Sequence, residues 1–170
     1  DCGYIDGPAR QDEFYWHVLP TYVGPAKTTV VIVSDALRYE VACDVAALLE
    51  RERGGNVKVS SMQAVFPSIT EVGMPALLPH QALGLAADGS FVLADGKSTA
   101  TTPQREAVLT HVEPTARALR SGAYLNMAGT ERKALLKDSR LVYLYHNKID
   151  ATGEKAATQD DVFGACADTV

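Results

Sequence analysis

The sequence is short of the features that mark several large classes of protein. Its longest strongly apolar run is Val-Val-Ile-Val at 30–33, far below the ~18–20 residues that a transmembrane helix requires. It has three cysteines, Cys2, Cys43 and Cys166, an odd number with no Cys-x-x-Cys pair, which fits a reducing compartment better than a disulfide framework. No basic n-region and apolar h-region open the chain, so it reads as soluble and cytoplasmic, with no membrane partner. Basic residues number 16 against 21 acidic ones, for a formal charge of −5. A domain that holds nucleic acid by its net field is strongly basic, so any such contact here has to come from a local patch or a partner. There is no G-x-G-x-x-G after a strand, no Walker A sequence, no G-x-S-x-G and no H-E-x-x-H, which removes support for dinucleotide, P-loop, serine-hydrolase and zincin chemistry.

What is present is globular. The chain has 170 residues, 46% of them hydrophobic and 22% charged, with a mean hydropathy of −0.05, which excludes a disordered chain and suits about one domain. The β-branched run TTVVIVS at 28–34 predicts a strand buried on both faces, because it does not alternate. Apolar residues at helical spacing, Leu37, Val41, Val45, Leu48 and Leu49, predict a helix over 36–53 that ends at Gly54-Gly55. A second strand at 57–66 would complete a βαβ unit with a parallel sheet.

Beyond Pro67, 68–78 reads as a helix with Ser68 and Glu71 spaced as a capping box, complicated by Pro75. Asp88-Gly89 and Asp95-Gly96 bracket a small β excursion at 91–94. Segments 103–119 and 130–137 read as helices, 140–145 as a core strand, 150–153 as a turn, and 158–170 as a helix running into the end of the sequence. Residues 1–27, with Phe14, Tyr15 and Trp16, read as an N-terminal helix or the tail of a preceding region. Residues 28–170 read as the main domain.

In open parallel sheets the ligand crevice lies past the carboxyl ends of the strands, and three polar clusters fall there. Asp35 follows the first strand, Ser68 and Thr70 the second, and His146, Asp150 and Glu154 the third. Each has an ordinary structural explanation. Asp35 suits a helix N-cap, Ser68 caps and Thr70 fills a first turn, 150–153 is an unexceptional turn, and His146 is a polar residue at a strand's edge. Haloacid-dehalogenase chemistry would need a second aspartate where Leu37 stands. An integrin-type metal motif would need serines at Leu37 and Tyr39. Taken together, the clusters supply two carboxylates, a hydroxyl, an imidazole and Glu154, a donor set for one or two hard or borderline divalent ions.

These residues, in this order, resemble the PglZ domain, a branch of the alkaline phosphatase superfamily found in BREX phage-defence systems. The segments that carry the resemblance are VVIVSDALRYE (30–40), SSMQAVFPSITEVGMPALLP (60–79), TTPQREAVL (101–109) and LVYLYHNKIDATGEKA (141–156). The resemblance implies a three-layer αβα sandwich with a mainly parallel, alkaline-phosphatase-like sheet. It places the metal-binding aspartate of the superfamily's phosphodiesterase branch at Asp35 and the nucleophilic threonine of F-P-x-x-T at Thr70. The D-x-x-G-H turn that supplies two ligands to the other metal falls at Asp150 and Gly153, but its histidine is replaced by Glu154. His146, four residues before Asp150, is the other candidate for that ligand.

The implied activity is that of a metal-dependent phosphoryl-transfer hydrolase, a phosphodiesterase or nuclease-type enzyme of phage defence. It would use two divalent ions, zinc first and manganese or magnesium as alternatives. Thr70 would be the nucleophile, activated by the metal on Asp35 and itself counted among the metal ligands. Arg38, Arg105 and Lys148 are candidate phosphate contacts. The implied partners are other BREX proteins and a nucleic-acid or nucleotide phosphodiester. The family's Asp-His-Gly segment and a further histidine do not occur in the sequence, so the expectation is a catalytic domain truncated at its C-terminus, with the 170 residues alone close to inactive. A competing reading is a catalytically inactive scaffold for other defence subunits. A response-regulator-like receiver is disfavoured because Ser34 and Ala36, rather than a second acid, flank Asp35.

Overall fold

The structure is a computed structural model, and it describes residues 4–24, 27–54, 56–155 and 158–168. Cys2 and Gly55, named above, lie outside the described residues, as do 156–157 and 169–170. The described chain is mixed α/β with parallel strand pairs, in the element order β1 (Ala9–Arg10), β2 (Thr29–Ser34), α1 (Tyr39–Arg53), β3 (Met62–Gln63), α2 (Thr70–Ala76), β4 (Leu83–Leu85), β5 (Val92–Ala94), β6 (Lys97–Ser98), α3 (Thr102–Val112), β7 (Arg117–Arg120), α4 (Ser121–Asn126), α5 (Gly129–Asp138), β8 (Leu141–His146), α6 (Lys148–Gly153) and α7 (Gln159–Ala167). It divides into two compact units, one of residues 1–33 and 61–145, the other of 34–60 and 146–170.

The main sheet has the order β2-β8-β7. β7 and β8 are parallel, with Arg117 opposite Val142 and Arg120 opposite Tyr145. β2 is parallel to β8 as well, since hydrogen bonds from Thr29 N–H to the Arg140 carbonyl and from Asp35 N–H to the His146 carbonyl advance together along both strands. A parallel pair needs a crossover, and α4 and α5 supply it between β7 and β8. The Thr28 hydroxyl donates to the carbonyls of Leu136 and Ser139, so the start of β2 satisfies acceptors left open at the end of α5.

The core of the first unit forms where one face of β8, carrying Leu141, Tyr143 and Tyr145, meets Met74 and Leu78 from α2 and its extension, Val108 and Leu109 from α3, and Tyr15 and Leu19 from the N-terminal helical turns. Tyr143 is fully buried, and its hydroxyl donates to the Leu77 carbonyl at 2.9 Å. The hairpins β4-β5 and β5-β6 form a separate antiparallel sheet. Asp95 (φ 48°) and Gly96 (φ 76°) make the turn between β5 and β6, the left-handed pair that a two-residue hairpin requires. The excursion expected at 91–94 is borne out.

Several expectations are corrected. β2 is an edge strand, and Val30 and Ile32 are 40% and 66% exposed, so it is not buried on both faces. The helix expected from residue 36 begins at Tyr39 with Arg38 at its N-cap, because Ala36 takes a left-handed φ of 57° and breaks the path from strand to helix. Asp35 is therefore not a helix cap. The helix does end at Gly54, whose left-handed φ of 61° makes the C-cap.

The strand expected over 57–66 shrinks to β3, which pairs with β1 rather than with β2, so the βαβ unit read around α1 does not form. The helix expected over 103–119 is two elements, since Pro114 follows the C-cap Glu113 and the chain restarts as β7. The turn at 150–153 lies within α6, a short helix anchored by buried Ile149. α7 ends at Ala167.

Candidate active site

In the first unit, Val65 N–H donates to Gln11 Oε1 at 3.1 Å and Gln11 Nε2 donates to the Gly73 carbonyl at 3.0 Å. One side chain thus clamps the segment FPSIT from both ends. A Cβ at Gly73 would stand 3.1 Å from Gln11 Nε2, so the clamping amide would have to give by a few tenths of an ångström. Thr70 is the first residue of α2 and is half-buried. The N-cap position belongs to Ile69, in extended backbone, with no side-chain cap. Ser68 is exposed and outside the helix, so the capping box read at Ser68 and Glu71 is not made. Phe66, joined to Pro67 by a cis peptide bond, is 83% exposed.

In the second unit, Asp35 and His146 stand at the carboxyl ends of β2 and β8. The Asp35 N–H donates to the His146 carbonyl at 2.8 Å, and the Ser34 hydroxyl lies 2.9 Å from His146 Nδ1. Partial burial, and then the Lys148 charge, hold the His146 pKa below its ordinary value, which favours the neutral imidazole that a metal ligand must be. Asp150 lies in the first turn of α6, half-buried, and its carbonyl accepts the Glu154 N–H at 2.9 Å. The two carboxylates are four residues apart, so they share one side of the helical turn. The Glu154 side chain is exposed.

The three cations read as phosphate contacts are all engaged. Lys148 Nζ pairs with Asp168 at 2.6 Å on the surface, the Arg38 guanidinium lies 5.8 Å from the Phe163 ring centroid, and Arg105 bonds the Thr99 carbonyl at 2.8 Å. Among the described residues no three His, Cys, Asp or Glu side chains converge closely enough to hold a metal ion. The donor types at Asp35, His146, Asp150 and Glu154 suit hard or borderline divalent ions. Sequence reasoning missed Gln11, whose role depends on contacts 54 and 62 residues away in sequence and leaves no local signal. It also missed the Lys148 and Asp168 pair.

Parallel strands that end in a carboxylate and an imidazole, with a separate hydroxyl at a helix start, define an α/β protein whose candidate chemistry lies past the carboxyl ends of its strands. The family model of PglZ, the BREX system PglZ alkaline phosphatase-like domain, matches residues 14–170, and the chain belongs to that family. It is 39% identical over 169 residues to the alkaline phosphatase-like protein BrxZ of Escherichia coli O9:H4 (strain HS). It is 32% identical over 166 residues to the alkaline phosphatase-like protein PglZ of Bacillus cereus (strain H3081.97). Each alignment takes in 98% of this chain and 19% of the relative, so the chain spans about a fifth of the length of these curated relatives. No solved structure matches it. Among the described residues no helix is long and apolar enough to cross a membrane.

Proposed function

We propose that this BREX-associated alkaline phosphatase-like domain contributes to a metal-dependent phosphoryl-transfer hydrolase, a phosphodiesterase acting on nucleic-acid or nucleotide phosphodiesters. The observation that carries the reading is the backbone bond between Asp35 and His146, which registers a carboxylate and a neutral imidazole at adjacent strand ends. Thr70 is the nucleophile. Asp35 would hold one divalent ion, and Asp150 would hold the other with Glu154 or His146. Zinc fits this mixed oxygen and nitrogen set first, with manganese or magnesium as alternatives. Such ions, when bound, supply Lewis acidity toward the phosphoryl oxygens and lower the pKa of a coordinated hydroxyl.

The chain's own residues do the rest. The Gln11 clamp holds the segment that presents Thr70, and the Ser34 hydroxyl orients the His146 ring. The alkaline-phosphatase-like family supports a three-layer αβα sandwich for the whole domain and other BREX proteins as partners, and the odd number of cysteines without a Cys-x-x-Cys pair supports a cytoplasmic location.

The test is hydrolysis of bis(p-nitrophenyl) phosphate by the full-length protein with zinc or manganese. Thr70→Ala is expected to lower kcat by at least a thousandfold, the order that removal of a nucleophile costs. Unchanged turnover would remove the nucleophile assignment. A scaffold reading is favoured by one observation, the exposed Glu154 in the place of the family's histidine. It predicts no bound divalent ion at micromolar concentration in a metal titration of the full-length protein.

A further inference from the structure

Trp16 is 40% exposed, yet its ring is held in place. Its Nε1–H donates to the His80 carbonyl at 2.9 Å, and the ring meets Tyr15 edge to face with the centroids 4.9 Å apart. It lines two hollows of different character, both within the first unit. One, of about 340 Å³, is lined by polar side chains, Arg10, Asp12, Glu13, His17 and His80 among them. The other, of about 40 Å³, takes its apolar lining from Pro79, Ala94, Val108 and Val112. An exposed tryptophan that is already fixed in orientation is the kind of anchor on which protein interfaces concentrate their binding energy.

The polar hollow offers acceptors and negative charge. Arg10 is already engaged: its Nε donates to Asp12 Oδ1 at 3.0 Å and its Nη2 to Asp12 Oδ2, while the guanidinium lies 3.9 Å from the centroid of the Tyr4 ring. Glu13 is the carboxylate left over. Its ion-pair partners, Arg10 Nη1 at 3.6 Å and His17 Nδ1 at 3.8 Å, stand beyond hydrogen-bond distance. His80 is only 7% exposed. Its Nδ1 lies 2.7 Å from the Leu78 carbonyl, which can only accept, so Nδ1 carries the proton and Nε2 of the neutral ring keeps a lone pair. Nε2 has no hydrogen-bond partner among the described residues and is not one of the buried polar atoms that lack one. It therefore opens into the hollow that the ring lines.

A carboxylate without a donor, an imidazole lone pair and an aromatic ring together call for a cationic ligand with several N–H groups. A divalent ion needs a third protein donor, and among the described residues no three His, Cys, Asp or Glu side chains converge to supply it. A guanidinium meets the requirement, because its fork presents N–H groups to two acceptors at once and its plane packs against aromatic rings. The ammonium of lysine donates from a single point. The apolar hollow on the same tryptophan has room for a small aliphatic group, which a residue next to an arginine in a polypeptide supplies and a free guanidino compound does not.

We propose that the Trp16 face is a docking site for an arginine side chain of another polypeptide, its guanidinium bonded to Glu13 and His80 Nε2 beside the indole, with a small apolar neighbour of that arginine in the hollow lined by Val108 and Val112. The site is separate from Thr70 and does not depend on the phosphoryl-transfer reading.

The experiment is calorimetric titration of four acetylated, amidated tripeptides, Val-Arg-Val, Val-citrulline-Val, Val-Lys-Val and Gly-Arg-Gly, into the full-length protein. Val-Arg-Val is expected to bind at one site per chain, about tenfold tighter than its citrulline counterpart, which keeps the shape and loses the charge. It is expected to bind about fivefold tighter than Gly-Arg-Gly, which leaves the apolar hollow empty, and tighter than Val-Lys-Val. Glu13→Gln is expected to weaken Val-Arg-Val about tenfold with little change in Tm, since the ion pairs it loses are long and partly exposed. Glu50→Gln, an exposed acid of α1, is expected to leave the affinity unchanged. No binding of Val-Arg-Val at millimolar concentration would overturn the proposal, and that is the outcome if another part of the full-length protein already fills the hollow. Equal affinity for any of the other three peptides would overturn it as well, as would equal effects of Glu13→Gln and Glu50→Gln.

Discussion

Ala36 holds a φ of 57° directly after Asp35, in a region that a non-glycine residue occupies at a cost of ~1–3 kcal/mol. The strain has a local effect. It turns the chain out of β2 one residue after the carboxylate, so Asp35 is left at the strand's end instead of being drawn into the first turn of α1. Ala36→Gly removes the Cβ that makes this conformation costly and is expected to stabilise the chain by about 0.5–1 kcal/mol, part of the relief being offset by the greater freedom of glycine in the unfolded state. Ala36→Val adds β-branching at the same φ and is expected to destabilise it by ~1–2 kcal/mol. Urea unfolding of the three proteins checks the order glycine, alanine, valine. A valine variant as stable as the glycine one would mean that the left-handed turn does not hold in solution.

At the scale of elements, two helix starts that look alike in sequence behave differently. Thr101 caps α3, and Gln104 returns the bond: the Gln104 N–H donates to Thr101 Oγ1 at 3.4 Å and the Thr101 N–H to Gln104 Oε1 at 3.0 Å. Ser68 and Glu71 have the same spacing, but α2 starts two residues after Ser68 with Ile69 at its N-cap. Thr101→Ala is thus expected to cost about 1 kcal/mol, and Ser68→Ala to stay within ~0.5 kcal/mol of the parent. Thermal denaturation of the two variants decides it, and equal losses would contradict the assigned start of α2. The same contrast shows what was legible. The strand at 28–34, the strand at 140–145 and the hairpin closed by Asp95-Gly96 were readable because β-branched runs and turn residues act locally. β7 was missed because Val108, Leu109, Val112 and Leu119 carry helical spacing straight through Pro114, the one residue that signals the break. The strand expected at 57–66 failed because alternation alone supplies no partner, and only Met62 and Gln63 find one, in β1. At the candidate site, Asp35 and Thr70 could be read from their places at element ends. Gln11 and the pairing of Lys148 with Asp168 could not, since each depends on contacts between distant parts of the chain.

For the molecule as a whole, stability and candidate chemistry are unevenly shared. The first unit holds the core around Tyr143, Leu78 and Leu109, all fully buried. Among the described residues of the second unit the buried apolar ones are Ile149, Ala165 and Cys166, and no described side chain of α1 is buried. Regions with little buried apolar surface open at lower free energy, so in amide hydrogen exchange of this chain α1 is expected to exchange ahead of β8. Four of the five candidate metal ligands, Asp35, His146, Asp150 and Glu154, belong to that second unit. An ion that binds only the folded form stabilises it by about 2.7 kcal/mol at a hundred times its Kd, and the gain appears in the segments whose opening destroys the site. Zinc is therefore expected to slow exchange in α1 and α6 and to leave β5, which belongs to the first unit, unchanged. A chelator is expected to reverse the effect. Zinc protection confined to the first unit, or absent from both, would mean that these four side chains do not act together on a metal, and the metal-dependent mechanism would then need its ligands from elsewhere in the full-length protein.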